Sequence, residues 1–159
     1  MEFAFNYNKN KVIQALRLHF LARGEIKVMM ILVNVFAIVS AIMFYTKKIR
    51  PEPFLLGTTI WLLMLIAIWY ILPYSIYKKS STFKDDFIIW INENSLRLEN
   101  EKGHVSWQWN MFIRFFESAN FFHLYFNEKS FFLLPKDGMT EDLKHELRAL
   151  LNDKLANKK

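Results

Sequence analysis

Hydrophobic and polar residues follow a different rhythm in each part of this chain, and each rhythm predicts an element. Phe3, Phe5 and Tyr7 alternate with polar or small neighbours, which is strand spacing. From about Asn8 to Arg23 the period lengthens: Val12, Leu16 and Phe20, with Ile13, form a helical stripe, while Lys9, Lys11 and Arg17 fall off it. Gly24 is a plausible stop. Two continuous apolar runs follow, 26–45 with a single charge at Lys27 and 54–77 with none. A helix rises about 1.5 Å per residue, so about 20 apolar residues cross a hydrocarbon core of about 30 Å. Both runs are long enough, and a chain this small could not cover two helices that are apolar all round. KKIRPEP, residues 47–53, is just long enough to turn the chain between them.

Beyond the second run, short alternating segments are separated by turn residues. Strands are expected at 87–91, 96–99, 104–109, 112–117, 121–126 and 131–135, with Gly103 free to take positive φ in the turn NEKG. Thr140 can cap a last helix whose Leu143, Leu147, Leu150, Leu151 and Leu155 share one face. The expected fold class is therefore membrane α+β: a transmembrane helical hairpin plus a small antiparallel β meander, or split barrel, closed by a C-terminal helix. The segments are 1–25, an N-terminal strand and amphipathic helix; 26–77, the hairpin; and 78–159, a β domain with its helix. The lone N-terminal strand needs a sheet, since an isolated strand cannot satisfy its backbone groups. Joined to the six later strands it makes seven strands and a closing helix, a parts list that resembles pleckstrin-homology-like split barrels. The amphipathic helix would then pack on this domain; the alternative is to lie in a headgroup layer.

Charge adds an orientation. Of 21 basic and 15 acidic residues, residues 1–27 carry five bases against two acids, 47–53 three against one, and 78–159 thirteen against twelve. The excess flanks the apolar runs instead of covering the C-terminal domain, which suits anionic headgroups and not a nucleic-acid groove. The positive-inside bias places both termini in the cytoplasm of a two-pass protein of the cell (inner) membrane. Lys27, Trp69, Tyr70, Tyr74, Tyr77, Lys78 and Lys79 are the expected membrane-interface residues, with Phe44, Tyr45 and Phe54 at the turn. Pro73 sits one turn before the exit, where a missing backbone donor is more easily made good than at mid-bilayer. A small-xxx-small pair, Ala37 and Ala41, offers a face on which the second helix could approach closely. The first run lacks a small-x-small cleavage site, so it reads as an uncleaved anchor. A mean hydropathy of only +0.08 with 53% hydrophobic residues fits such a partitioned chain.

Residues that carry chemistry are sparse. There is no cysteine, and the four glycines stand far apart, so there are no disulfides, thiolates or glycine-rich phosphate loop. His19, His104, His123 and His145 are isolated from one another and from carboxylates at metal-ligand spacing. Asp85 and Asp86 are adjacent, which points them apart on a strand, and no serine sits in a G-x-S-x-G elbow. No catalytic residue, metal site or cofactor is expected. Lys136, after Pro135, reads as a surface lysine on the loop to the last helix or, functionally, as a headgroup or partner contact. The segments 121–126 and 131–135 are apolar at both alternating sets. If the hairpin register holds, Phe121, Tyr125, Phe131 and Leu133 share a face: a docking face with Lys136, or one covered by a terminal helix.

PYSIYKK (73–79), IIWINENSLRLEN (88–100), SWQWNMF with Trp109, and LLPK (133–136) together resemble the YcxB-like family of bacterial membrane proteins. Met111 and Phe112 stand where similar sequences commonly place a polar or acidic residue and then an aliphatic one. The resemblance implies architecture and location and supplies no catalytic residues. The leading functional expectation is a non-catalytic interaction or regulatory module held at the cytoplasmic face of a bacterial membrane. An enzyme or binding protein acting on lipid headgroups or envelope precursors is the alternative. The expected partners are the lipid bilayer and another membrane or cytoplasmic protein, with no nucleic acid, and homo-oligomers are compatible with the pattern.

Overall fold

The computed structural model of the chain describes residues 1–155. Its elements in order are β1 (Glu2–Phe5), α1 (Lys9–Ala22), α2 (Gly24–Tyr45), α3 (Pro51–Ile66), α4 (Leu72–Lys79), β2 (Phe87–Ile91), β3 (Ser95–Asn100), β4 (Gly103–Gln108), β5 (Arg114–Glu117), β6 (Phe121–Tyr125), β7 (Phe131–Pro135) and α5 (Glu141–Leu155). The chain divides into two compact units. One joins Met1–Ala15 to the segment from Ser80 onward, and the other is Leu16–Lys79. This is an α+β protein with two long apolar helices, two antiparallel sheets and a C-terminal helix.

The first unit is assembled from two pieces of chain far apart in sequence. β1 pairs antiparallel with β2, placing Phe3 opposite Ile89 and Phe5 opposite Phe87. The ladder starts at the terminus itself, where the Met1 amino group donates to Ile91 O and Ile91 N–H donates to Met1 O, both at 2.8 Å. The N-terminal strand thus finds the sheet its unpaired backbone requires. One sheet runs β1-β2-β3-β4 and the other β5-β6-β7. Phe5, Phe87, Ile89, Leu96 and Leu98 of the first share a single core with Phe122, Leu124, Phe132 and Leu134 of the second. Leu147, Leu151 and Leu155 of α5 complete it, with Leu143 and Leu150 partly buried against it. Thr140 caps α5, accepting from Leu143 N–H at 3.2 Å. Asn92 and Asn127 close the β2–β3 and β6–β7 turns by accepting two backbone N–H bonds each. Gly103 turns β3 into β4 at φ +145° and Gly138 precedes α5 at φ +81°, where a side chain would be strained.

Two strand ends differ from the alternation. Trp109 leaves β4 for a tight turn because its indole N–H donates to Asn92 O at 2.9 Å and its ring is buried. β5 starts only at Arg114, since Phe112 turns fully into the core while Met111 stays exposed. On α1 the buried stripe is wider than its aliphatic residues suggest: Val12, Ala15, Leu16, His19 and Phe20.

In the second unit, α2 begins at Gly24 and the following helical segment runs Pro51–Lys79, longer than the 54–77 run at both ends. Pro51 opens it because the first helical position needs no backbone donor. Lys47, at φ 57°, makes the turn between the two. Met30, Val33, Ala37 and Ser40 are the partly covered positions near the middle of α2, and Phe54, Gly57, Trp61 and Met64 those of α3. Ala37 and Ala41 are the small pair on which α3 could approach closely. Both residues, with Gly57, line a cleft of about 620 Å³ between the helices. At the turn end Phe44 stacks on Phe54, with ring centroids 4.4 Å apart. No residue of either helix from Gly24 to Ile66 is buried.

Candidate functional site

The face expected to dock a partner is largely inside the protein. β6 and β7 are apolar on both sides because both sides are covered. Phe122, Leu124, Phe132 and Leu134 enter the shared core, and Phe121, Tyr125 and Leu133, on the other face, are 2%, 5% and 2% exposed. The register that groups them is present, with His123 opposite Leu133 and Tyr125 opposite Phe131. Tyr7 reaches this face from the N-terminal segment, its hydroxyl donating to Leu133 O at 2.7 Å. Burial pushes that hydroxyl far above the usual tyrosine range. Phe131 is half-buried, its ring 5.7 Å from Tyr125 and 6.3 Å from His123, and the Arg114 guanidinium lies over Tyr125 at 4.6 Å. His123, fully buried, pairs its Nε2 with Ser118 Oγ at 3.0 Å. Alternation put His123 on this face, but only the three-dimensional cover shows that it lies in the interior.

Lys136 is neither a free surface lysine nor free for a headgroup. Its Nζ donates to Glu117 Oε1 and to Ser118 O, each at 2.6 Å, and lies 4.9 Å from the Phe122 ring centroid. Arg148 on α5 grips the same carboxylate in a fork, Nε to Oε2 and Nη2 to Oε1, both at 2.8 Å. The Arg148 and Lys136 bonds outweigh partial desolvation and lower the Glu117 pKa from 4.5 to about 2. At neutral pH this carboxylate is ionised and already holds three donors, so its chemistry is that of a strut joining β5, the loop after β7 and α5. Position could single out Lys136 in the sequence, because it follows Pro135. Nothing in the sequence paired it with Glu117, 19 residues away, or Glu117 with Arg148, 31 residues away.

The second unit carries a polar feature of its own near the end of the long apolar helix. Pro73 has no N–H to donate to the carbonyl four residues back, and its ring crowds that turn. The helix widens over Ala67–Ile71, with Leu72 N–H reaching back to Ala67 O. Arg17 supplies the donor that Pro73 lacks: its Nε meets Trp69 O at 2.9 Å. The guanidinium sits 5.3 Å from the ring centroids of both Trp69 and Tyr70. Trp69, Tyr70 and Tyr74 remain 45%, 60% and 48% exposed, Tyr77 is half-buried, and Lys27, Lys78 and Lys79 are exposed. These are the residues expected at a membrane interface, and Arg17 joins them. Its role was hidden in sequence, where Pro73 announces a freed carbonyl but not its donor.

Three comparisons bear on these features. The family model described as YcxB-like protein matches residues 83–151, the segment that holds β2 to β7 and most of α5. Among curated proteins and among solved structures, no relative matches at significance.

Proposed function

With residues 83–151 assigned to the YcxB-like family, we propose that this chain is a membrane-anchored interaction or regulatory module without catalytic activity. Its α2–α3 hairpin crosses the bilayer, and its β domain lies at the cytoplasmic face of a bacterial cell membrane. The observation that carries this reading is the exposure of the hairpin: Leu32 63%, Phe36 69%, Ile38 60%, Leu56 64% and Leu63 60% are left uncovered by the chain itself. Apolar surface of that extent on two adjacent helices is stable in hydrocarbon, not in water. The aromatic and basic residues around Pro73 suit the headgroup level, and the larger number of bases near the terminal side orients the pair.

The β domain supports a binding role better than chemistry. Seven strands in a four-plus-three arrangement with a closing helix support the reading of a pleckstrin-homology-like barrel, a scaffold on which function would reside in the surface. Its most perturbed carboxylate is tied up by Arg148 and Lys136. Reporter fusions after Lys79 and at the C-terminus are expected to be active only with a cytoplasmic reporter. A periplasmic reporter active at both points reverses the orientation, and release of the full chain from membranes by alkaline carbonate refutes insertion.

A further inference from the structure

We propose that two copies of this chain pair in the membrane through α2, with the Asn34 side chains hydrogen-bonded to each other across a two-fold axis. The inference rests on the membrane reading above. Asn34 lies 10 residues after Gly24 and 11 before Tyr45, at the middle of α2 and so at the greatest depth in the hydrocarbon. Its carboxamide has two N–H donors and an oxygen with two lone pairs. The helix satisfies one of these, through Nδ2 to Met30 O at 2.7 Å. The hydroxyls of Thr58 and Thr59, by comparison, give their single hydrogens to Phe54 O and Leu55 O. An exposed carboxamide with an unused N–H and carbonyl is ordinary in water and unfavourable in lipid.

The surroundings of Asn34 select its occupant. Asn34 is exposed and, unlike Val33, Ala37 and Ser40, does not line the cleft against α3, so α3 does not take it. Lys27, Ile31, Asn34, Ile38, Ala41 and Tyr45 recur at intervals of four and three, and all six are exposed, Ala41 at the rim of the cleft beside α3. That is a 3.5-residue seam, the repeat by which two helices pack with a left-handed crossing of about 20°. Acyl chains offer no donor or acceptor at this depth. A second copy does, because its own Asn34 has the same depth, the same direction of chain and a donor–acceptor pair complementary to itself. A single polar residue in an otherwise apolar seam fixes register in this way. The two-fold axis then runs along the membrane normal, and the pairing is parallel.

The test uses the full chain in phosphatidylglycerol–phosphatidylethanolamine vesicles, with association followed by energy transfer as the protein-to-lipid ratio is varied. Wild type and Asn34→Gln are expected to associate, and Asn34→Leu to weaken association roughly three- to thirty-fold, with unchanged thermal unfolding of the monomer in detergent. The chain has no cysteine, so Ile38→Cys, on the seam, should cross-link between copies faster than Phe36→Cys, about 160° round the helix from it. Monomers at every ratio, equal association of Asn34→Leu, or faster cross-linking at position 36 would overturn the pairing while leaving the anchor intact. A protein that stays in the aqueous phase without inserting would instead sink the membrane reading and the pairing with it.

Discussion

Replacing Glu117 with glutamine removes the charge at the centre of the strut while keeping its shape. In the folded protein this carboxyl sits at about 2 instead of 4.5. Such a displacement is worth roughly 3 kcal/mol when water does not screen it. With 26% of the side chain exposed, screening reduces the contribution to about 1–2 kcal/mol. Because the folded-state pKa is the lower one, the stabilisation is complete above about pH 4.5 and is lost as pH falls toward 2. Glu117→Gln also strands Lys136, 14% exposed, beside Arg148 without its counter-charge. The full chain in detergent, unfolded by heat and followed by near-ultraviolet circular dichroism, should melt about 3–8 °C lower than wild type at pH 7. At pH 2.5 most of that gap should close. A gap below about 1 °C at pH 7, or one that persists undiminished at pH 2.5, refutes the strut.

Phe5→Ala, in the strand that closes the first sheet, should cost about 3–5 kcal/mol in the same melting assay, since the ring is 6% exposed and stacks on Phe87 at 5.7 Å. Tyr7→Phe removes only the bond to Leu133 O. It should cost about 0.5–1.5 kcal/mol and leave the fold unchanged by circular dichroism. Arg17→Met takes away the donor to Trp69 O and should cost about 1–3 kcal/mol. In a Pro73→Ala background that carbonyl regains a backbone donor, so the cost of Arg17→Met should fall by at least half. Equal costs in both backgrounds would disconnect Arg17 from the proline.

What could be read from the sequence followed period and turn chemistry. Alternation at Phe3 and Phe5, the asparagine and glycine turns, and the Leu143–Leu147–Leu151 face each depend on residues a few positions apart. They reappear as β1, the hairpins and α5 within a few residues. The register of β6 on β7 followed from the same alternation. Whether the face bearing Phe121 and Leu133 met water or protein did not, because its cover is set by tertiary packing. The Glu117 strut and the bond from Arg17 to Trp69 join residues 19 to 52 positions apart, a separation at which charge and aromatic patterns carry no pairing information.

The central claim is that β1 closes the sheet from across the hairpin, which, for a hairpin proposed to cross a membrane, requires both its ends to emerge on one side. Met1 and Ile91 form a hydrogen-bonded pair, so by alternation Ala4 and Ile88 form a non-hydrogen-bonded pair, the closer of the two kinds and within disulfide reach. Both residues are exposed and the chain has no other cysteine to compete. The full chain carrying Ala4→Cys and Ile88→Cys, oxidised in native membranes and then cut by protease in the loop between α2 and α3, should remain one covalent species until reduced. Ala4→Cys with Ser106→Cys, which lies on the fourth strand of the sheet, should fall into two fragments. Two fragments from the Ala4–Ile88 pair, or equal cross-linking of both pairs, would contradict the claim.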